Sequence, residues 1–324
     1  MSLTSLIRAG RGPVWSWFQA TLPETRTVST EANRLLRGGP TDQPCSIPAV
    51  PGADYGLVGT AVGYVVSAHL RPDALDRTVA TAAANFLDGP MRCRLPVRPT
   101  ELERMMVARI AALAPWERHL DSSDWSELCC LGAALARFEQ YFRAGPRILP
   151  YLVAPLRAHG DSLDELARAL IDDASLSDLE SVGRAAVEDL VDVARARNLQ
   201  IGPNFAQSLP LGGADADLIY DGVLIDLKST AQARVVGREE LWQLLGYLLA
   251  DTDDEYEVAH LGFAALRRRR RLTWGSQDLL DALSGGHARS LRELRADFAA
   301  LLAPLRTAHA ATRGASLRAL ESGR

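Results

Sequence analysis

The sequence predicts an α/β protein in which a mainly helical N-terminal region precedes a small mixed sheet flanked by helices. Between Leu57 and Glu188, apolar residues recur at spacings of three and four, which is typical of helices that bury one face. After Gly202 the spacing changes to two, which indicates strands. A helical pattern returns at residues 238–250 and 291–305, so helices should cover the sheet.

The elements follow in chain order. Residues 1–52 are rich in Pro, Gly, Thr and Ser, and predict an irregular arm with one short helix at 29–36. A helical region at 53–175 leads into a core at 176–305, and residues 306–324 should form a frayed tail. The spacing and the helix-ending residues predict helices at 74–86, 101–113, 124–143, 148–158, 163–173 and 178–197.

The core should contain a first strand at 205–209, a hairpin at 214–229 and a helix at 238–250. A strand at 256–266, a charged turn at 267–270 and a short returning strand at 271–274 should complete the sheet.

Composition excludes several classes of protein. Of the 324 residues, 47% are hydrophobic and 23% charged, which excludes a disordered, collagen-like or disulfide-scaffold chain. The most apolar stretch, 55–70, is shorter than the about 20 residues that cross a bilayer. Arg8 and Arg11 interrupt the N-terminus before a secretory signal develops. We therefore expect a cytoplasmic protein with no membrane partner.

The spacing of the cysteines and histidines bears on metal binding. The four cysteines form no CxxC pair, and the six histidines form no HxxxH or HExxH pair. Any metal should therefore be bound by oxygen atoms.

The hairpin carries the acidic residues that suggest a site. Asp221 and Gly222 predict a two-residue type I′ turn, which places Asp217 opposite Asp226 and Asp215 opposite Lys228. Two opposed aspartates repel each other, and a hard divalent cation such as Mg²⁺ would convert that repulsion into coordination. The alternative is a solvent-facing polar surface with an ordinary ion pair between Asp215 and Lys228.

Lys228 is the only lysine in the chain, because the other 35 basic residues are arginines. A coding bias toward arginine explains the 35 but not the exception. Arginine stays charged near neutral pH, whereas the pKa of a lysine amine shifts readily on burial. We therefore expect Lys228 to serve a purpose that requires an amine.

These residues resemble a known signature. Asp217 and the later Asp226-Leu227-Lys228 resemble the D…(D/E)xK motif of the PD-(D/E)XK nuclease superfamily, and Gln243 and Tyr247 resemble the QxxxY motif of its RecB-like exonuclease branch. The resemblance covers about residues 205–274. It implies a restriction-endonuclease-like core in which Mg²⁺ or Mn²⁺ is bound by Asp217, Asp226 and the Leu227 backbone carbonyl, and in which Lys228 positions or activates water.

The sequence departs from the RecB-like pattern upstream of the sheet. Gly59 and Thr60 fit the start of the helical motif, but Gly63 occupies the position where that motif has a histidine. The upstream acid is left open among Glu139, Glu180 and Glu188, and Asp215 or Glu139 could be a further metal ligand. The cysteines of iron–sulfur members of the branch are absent.

Two further groups are candidates for substrate binding. Gln243 and Tyr247 share a helical face and could contact a phosphate or base, or they could simply pack. Arg267, Arg268 and Arg269 begin a run of five arginines, which could contact phosphates or form a solvated turn. The resemblance implies a metal-dependent nuclease acting on nucleic acid, with DNA as the expected substrate. The alternative is a nucleic-acid-binding or scaffold protein that has lost turnover.

Overall fold

The computed structural model describes residues 3–38, 46–91, 96–116, 118–208, 216–286 and 289–304, and confirms the α/β class. One five-stranded sheet has the order β1-β2-β3-β4-β5. The β3–β4 pair is parallel and the other pairs are antiparallel. The strands are β1 (Leu199–Ile201), β2 (Leu218–Tyr220), β3 (Val223–Lys228), β4 (His260–Ala265) and β5 (Arg270–Gly275).

Helices precede, interrupt and follow the sheet. Those before it are α1 (Leu3–Arg8), α2 (Pro13–Thr21), α3 (Thr25–Arg37), α4 (Tyr55–Leu70), α5 (Val79–Met91), α6 (Pro99–Leu113), α7 (Ser122–Ala144), α8 (Leu149–His159), α9 (Leu163–Ala169) and α10 (Asp173–Asp189). Those within and after it are α11 (Arg238–Ala250), α12 (Ser276–Ser284) and α13 (291–304). Short 3₁₀ helices occupy Pro72–Arg77, Gly145–Ile148, Val193–Arg195 and Leu266–Arg268. None of the helices in the described part of the chain has the length and apolar character of a membrane span.

Each face of the sheet packs against its own layer of helices. Leu218 and Ile225 project into a core built with α4 to α7 and α10. Ile219, Leu224 and Phe263 project into a second core built with α1 to α3 and α11 to α13. Helix α11 is the crossover between the parallel strands β3 and β4, as a parallel pair requires. Both faces of the hairpin are therefore covered.

The N-terminal segment is more regular than its composition predicts. Residues 3–37 form three helices instead of an irregular arm. Phe18 stacks on Trp242 of α11 at 5.4 Å between ring centroids, and it meets Phe298 of α13 at 5.7 Å. The glycines and prolines separate short helices, and burial of the apolar residues against α11 stabilises them. The prediction of an irregular arm is wrong for these residues.

The hairpin forms in the predicted register, but the first strand does not lie where it was expected. Asp221 and Gly222 have φ of 43° and 76°, as a type I′ turn requires. Tyr220 pairs with Val223, and Leu218 with Ile225. Residues 205–208 form a turn, closed by a bond from the Phe205 N–H to Ser208 Oγ at 2.8 Å. Strand β1 comes earlier because α10 ends at Asp189, which frees residues 199–201 to pair with β2.

Candidate metal centre

The two aspartates lie at the point where β2 and β3 separate. Pairing ends at Leu218 and Ile225, so Asp217 and Asp226 are the next residues on the two chains. The Asp217 carboxylate accepts a hydrogen bond from the Leu227 N–H, in place of the next bond of the ladder. The N–H and carbonyl of one strand residue point to the same side, so the Leu227 carbonyl faces the same gap.

The burial of Asp217 and Asp226 distinguishes the hairpin from a solvent-facing polar surface. Asp226 is only 4% exposed and Asp217 is half-buried. Both belong to the sheet face that α11 covers. The alternative of a solvent-facing acidic surface is therefore wrong for Asp226, because its carboxylate is enclosed by protein.

Lys228 pairs with Asp226 in the structure. Its Nζ lies 2.5 Å from Asp226 Oδ2 and 5.9 Å from the centre of the Phe263 ring. Burial lowers the pKa of Lys228, but the charges of Asp226 and Asp217 outweigh burial, so the net pKa is raised. Lys228 is therefore an ammonium near neutral pH. The other expected partner, Asp215, lies outside the described residues.

Both aspartates hold their protons more tightly than an ordinary carboxyl. Burial raises the pKa of Asp217 to about 7, helped by the charge of Asp226 and opposed by the Leu227 N–H and Lys228. Burial also raises the pKa of Asp226, against the nearby Lys228 charge. Two carboxylates and one ammonium thus share a poorly solvated space, and the excess negative charge is uncompensated.

One carboxylate oxygen has a single close partner. Asp226 Oδ2 is buried, and in the described part of the chain its close partner is the Lys228 ammonium, 2.5 Å away. A carboxylate oxygen has more than one acceptor position, so a cation could still contact it. Two carboxylates and a backbone carbonyl are the hard oxygen donors that Mg²⁺ and Mn²⁺ accept, and water fills the remaining positions. The residues present fit such an ion.

Among the residues that the structure describes, no third acid joins the pair. Within these ranges, no group of three or more His, Cys, Asp or Glu side chains converges closely enough to bind a metal. The described ligands would be Asp217, Asp226 and the Leu227 carbonyl, while Asp215, the other candidate ligand, lies outside the described residues.

Of the candidates for the upstream acid, Glu139 on α7 is the one whose charge acts on the aspartate pair. Its charge contributes to the raised pKa of Asp217. Its carboxylate accepts hydrogen bonds from Tyr64 Oη at 2.8 Å and from Arg143 Nε at 2.6 Å. Of the two other candidates, Glu188 pairs with Arg269 at 3.0 Å, whereas the charge of Glu180 acts on the Cys129 thiol. Glu139 therefore lies in an outer position, bound to neighbours that the sequence did not indicate.

Helix α4 approaches the end of β3 at the glycines singled out by the resemblance. A Cβ added to Gly59 would lie 3.3 Å from Ser229 Oγ, so the Ser229 side chain would have to shift by a few tenths of an ångström to accept it. A Cβ on Gly63 would meet no atom within 4 Å. The position where the related motif has a histidine is open space in this protein.

Gln243 and Tyr247 lie on α11 and bond to each other. Gln243 Nε2 donates to Tyr247 Oη at 2.6 Å, and Tyr247 stacks on Phe205 at 5.9 Å. Burial raises the pKa of Tyr247, and the charges of Asp226 and Asp217 raise it further, so the phenol lies near the pair. The contacts of Tyr247 are those of a packed residue, while Gln243 is half-buried.

The start of α11 contributes a further acid that the sequence reasoning missed. Glu240 accepts a hydrogen bond from the Gly237 N–H at 2.7 Å, as the third residue of a helix often does. Its charge raises the pKa of both Asp226 and Lys228. The position of Glu240, three residues after the helix cap, was the available signal.

Arg267, Arg268 and Arg269 of the arginine run all bond to acceptors of the protein itself. Arg267 is buried and paired with Asp178, which is also buried. Arg268 donates to the carbonyls of Gln232 and Ala233, both at 3.1 Å. Arg269 pairs with Asp189 at 2.7 Å. A buried guanidinium held by a carboxylate cannot reach a phosphate, so the predicted substrate contact is wrong for Arg267. Arg269 is exposed and also paired, so the alternative of a solvated turn fits its exposure.

Comparison with known proteins adds no relative: no family model matches the chain, and no curated protein or solved structure is significantly similar to it.

Proposed function

We propose that the protein hydrolyses phosphodiester bonds of nucleic acid, with DNA as the expected substrate, in a reaction that depends on Mg²⁺ or Mn²⁺. One observation carries the proposal: a buried Asp226 and a half-buried Asp217, whose carboxyl pKa values are both raised, lie beside a protonated lysine at the open end of a hairpin. The mixed sheet with α11 between β3 and β4 supports the assignment of a restriction-endonuclease-like core.

Asp217, Asp226 and the Leu227 carbonyl would bind the cation. When bound, the cation polarises the scissile phosphate and lowers the pKa of a bound water. Asp217 also fixes the Leu227 peptide through its N–H, which orients the carbonyl. Bound positive charge would ionise both carboxyls, because it replaces their mutual repulsion with attraction.

Lys228 would orient the attacking water or a phosphate oxygen through its ammonium protons. Its raised pKa favours a donor and a positive charge over a proton acceptor near neutral pH. Asp226 aims the ammonium, since their charged atoms lie 2.5 Å apart.

The test is a cleavage assay on linear and circular DNA, single- and double-stranded, and on RNA. We expect cleavage with Mg²⁺ or Mn²⁺, none with EDTA, and none by Asp226→Asn with either metal. Absence of cleavage of every substrate by the wild-type protein with both metals would contradict the proposal.

A second candidate function is nucleic-acid binding without turnover. It is favoured by the lack of a third acidic ligand in the part of the chain that the structure describes, and by the open space at Gly63. This candidate predicts binding that is unaffected by Asp226→Asn and no cleavage by the wild-type protein.

A further inference from the structure

Two adjoining grooves lie beside the segment that leads from Lys228 to α11. The first has a volume of about 470 Å³ and is lined by Arg8, Trp15, Arg234, Arg238 and Glu240, among others. The second, of about 280 Å³, lies between α3 and residues 233–234 and shares Arg234 with the first. We call the two together the arginine groove, and its second part adds Arg26 and Arg37.

The arginine groove carries positive charge that the protein does not neutralise. Arg26, Arg37, Arg234 and Arg238 are exposed, and none has a carboxylate partner among the described residues. Arg8 pairs with Glu239 at 2.9 Å. Most of the arginine run, by contrast, is held by acidic residues. Arg234 donates to the Val236 carbonyl and to Ser29 Oγ, both neutral acceptors that leave its charge in place. Four exposed guanidinium groups without a carboxylate partner in the described ranges, in a chain of net charge −4, are a surface suited to phosphates.

The groove has an aromatic wall. Trp15 is half-buried and packs edge-on against Trp242, with ring centroids 6.1 Å apart. Arg238 lies over the Trp242 ring at 5.4 Å, which holds its guanidinium at the groove wall. Basic groups beside a partly exposed aromatic ring, here Trp15, are a combination that binds single-stranded nucleic acid, because a base can stack on the ring while phosphates meet the arginines.

The groove adjoins the candidate metal centre. Glu240 lines it, and the charge of Glu240 acts on both Asp226 and Lys228. Residues 229–237 form part of its wall and follow Lys228 directly in the chain. Pockets of this size accept small molecules and short segments.

We infer that the arginine groove binds the phosphate backbone of single-stranded nucleic acid and leads the strand to the metal centre. The claim that the bound strand is then cleaved rests on the proposed function. The claim that the groove binds the strand depends only on the residues of the groove. It names an unpaired strand as the substrate class. It also gives the helices α1 to α3 a role in binding through Arg26, Arg37 and Trp15.

The test measures binding in EDTA, so that cleavage does not interfere. The probes are fluorescein-labelled single-stranded DNA and RNA of about 16 nucleotides and the matching DNA duplex. The variant is Arg26→Gln with Arg234→Gln, because glutamine removes charge while keeping helix propensity on α3. The control is Arg104→Gln with Arg157→Gln, two exposed arginines on α6 and α8 outside the groove.

We expect the groove variant to bind single-stranded DNA roughly tenfold more weakly, since two exposed charge contacts are lost. Its salt dependence should flatten by about 1.4 in log–log slope, at about 0.7 for each phosphate contact on a single strand. The control should match the wild-type protein. Wild-type affinity and slope in the groove variant, or tighter binding of duplex than of single strand, would overturn the inference.

This test separates the inference from the proposed function. Weakened binding by the groove variant without any cleavage by the wild-type protein would sustain the groove and refute the hydrolysis. Metal-dependent cleavage with unchanged binding by the groove variant would sustain the hydrolysis and refute the groove.

Discussion

Asp217→Asn should stabilise the metal-free protein, and the gain should depend on pH. The pKa of Asp217 rises from an ordinary 3.8 to about 7 through burial and the charge of Asp226. Between these values the folded protein keeps a proton that the unfolded chain releases, so the wild-type protein loses stability as pH rises. Each unit is worth about 1.36 kcal/mol, which sets an upper limit of about 4 kcal/mol for the whole shift.

Asparagine removes the charge and keeps the carbonyl oxygen that accepts the Leu227 N–H. Because Asp217 is half-buried, water screens part of the effect, and we expect a gain of about 2–4 kcal/mol above pH 7. The gain should shrink as the pH falls toward 3.8 and vanish below that value, where the carboxyl is protonated in both the folded and the unfolded state. Asp226→Asn should gain less, because it leaves Lys228 mostly buried without its 2.5 Å partner.

The assay is urea unfolding with EDTA from about pH 4.5 to about pH 8, the range that the two pKa values define. Asp161→Asn is the matched control, since Asp161 is exposed in the loop before α9. The control should change stability by only a few tenths of a kcal/mol, as surface substitutions do. A gain that is equal at both ends of the range, or a loss of stability at pH 8, would refute the reasoning.

Three further predictions concern other residues. Lys228→Arg should stay folded and keep metal binding, but its cleavage rate should fall by about 10²–10³, because a longer planar guanidinium cannot take the place of the amine. A single-turnover rate near that of the wild-type protein would contradict a catalytic role. Arg267→Met should cost about 3–5 kcal/mol in urea unfolding, because Asp178 would be left as an unpaired buried charge, with little change in DNA affinity; the reverse pattern would restore the predicted phosphate contact. Glu139→Gln should lower the pKa of Asp217, because one charge that raises it disappears. The fall in stability with rising pH should then end at a lower pH than in the wild-type protein, and an unchanged pH profile would place Glu139 outside the site.

Local signals in the sequence predicted the hairpin and its register. The Asp221-Gly222 turn fixes the register by its backbone preference alone, and that register brings Asp217 and Asp226 together. Lys228, the only lysine in the chain, was predicted to belong to the same group of side chains, and it lies beside Asp226.

Long-range contacts explain what the sequence could not predict. Asp178 and Arg267 lie far apart in the chain and meet only in the folded protein. From the sequence alone, the arginine run therefore resembles an exposed charged segment. Helices α1 and α2 are too short to be stable alone, and their packing on α11 is tertiary. Lys228 pairs with Asp226, an aspartate on its own strand, and hairpin register alone does not predict that contact.

Titration calorimetry of Mn²⁺ into the wild-type protein, Asp217→Asn and Asp226→Asn tests the central claim most directly, because it needs no knowledge of the substrate. Since the proposal makes both carboxylates ligands of the cation, we predict saturable binding by the wild-type protein and loss of that binding in both variants, with Asp161→Asn unchanged. Binding should also release protons near pH 7, because Asp217 must ionise to become a ligand. Equal Mn²⁺ affinity in the wild-type protein and both variants would contradict the account.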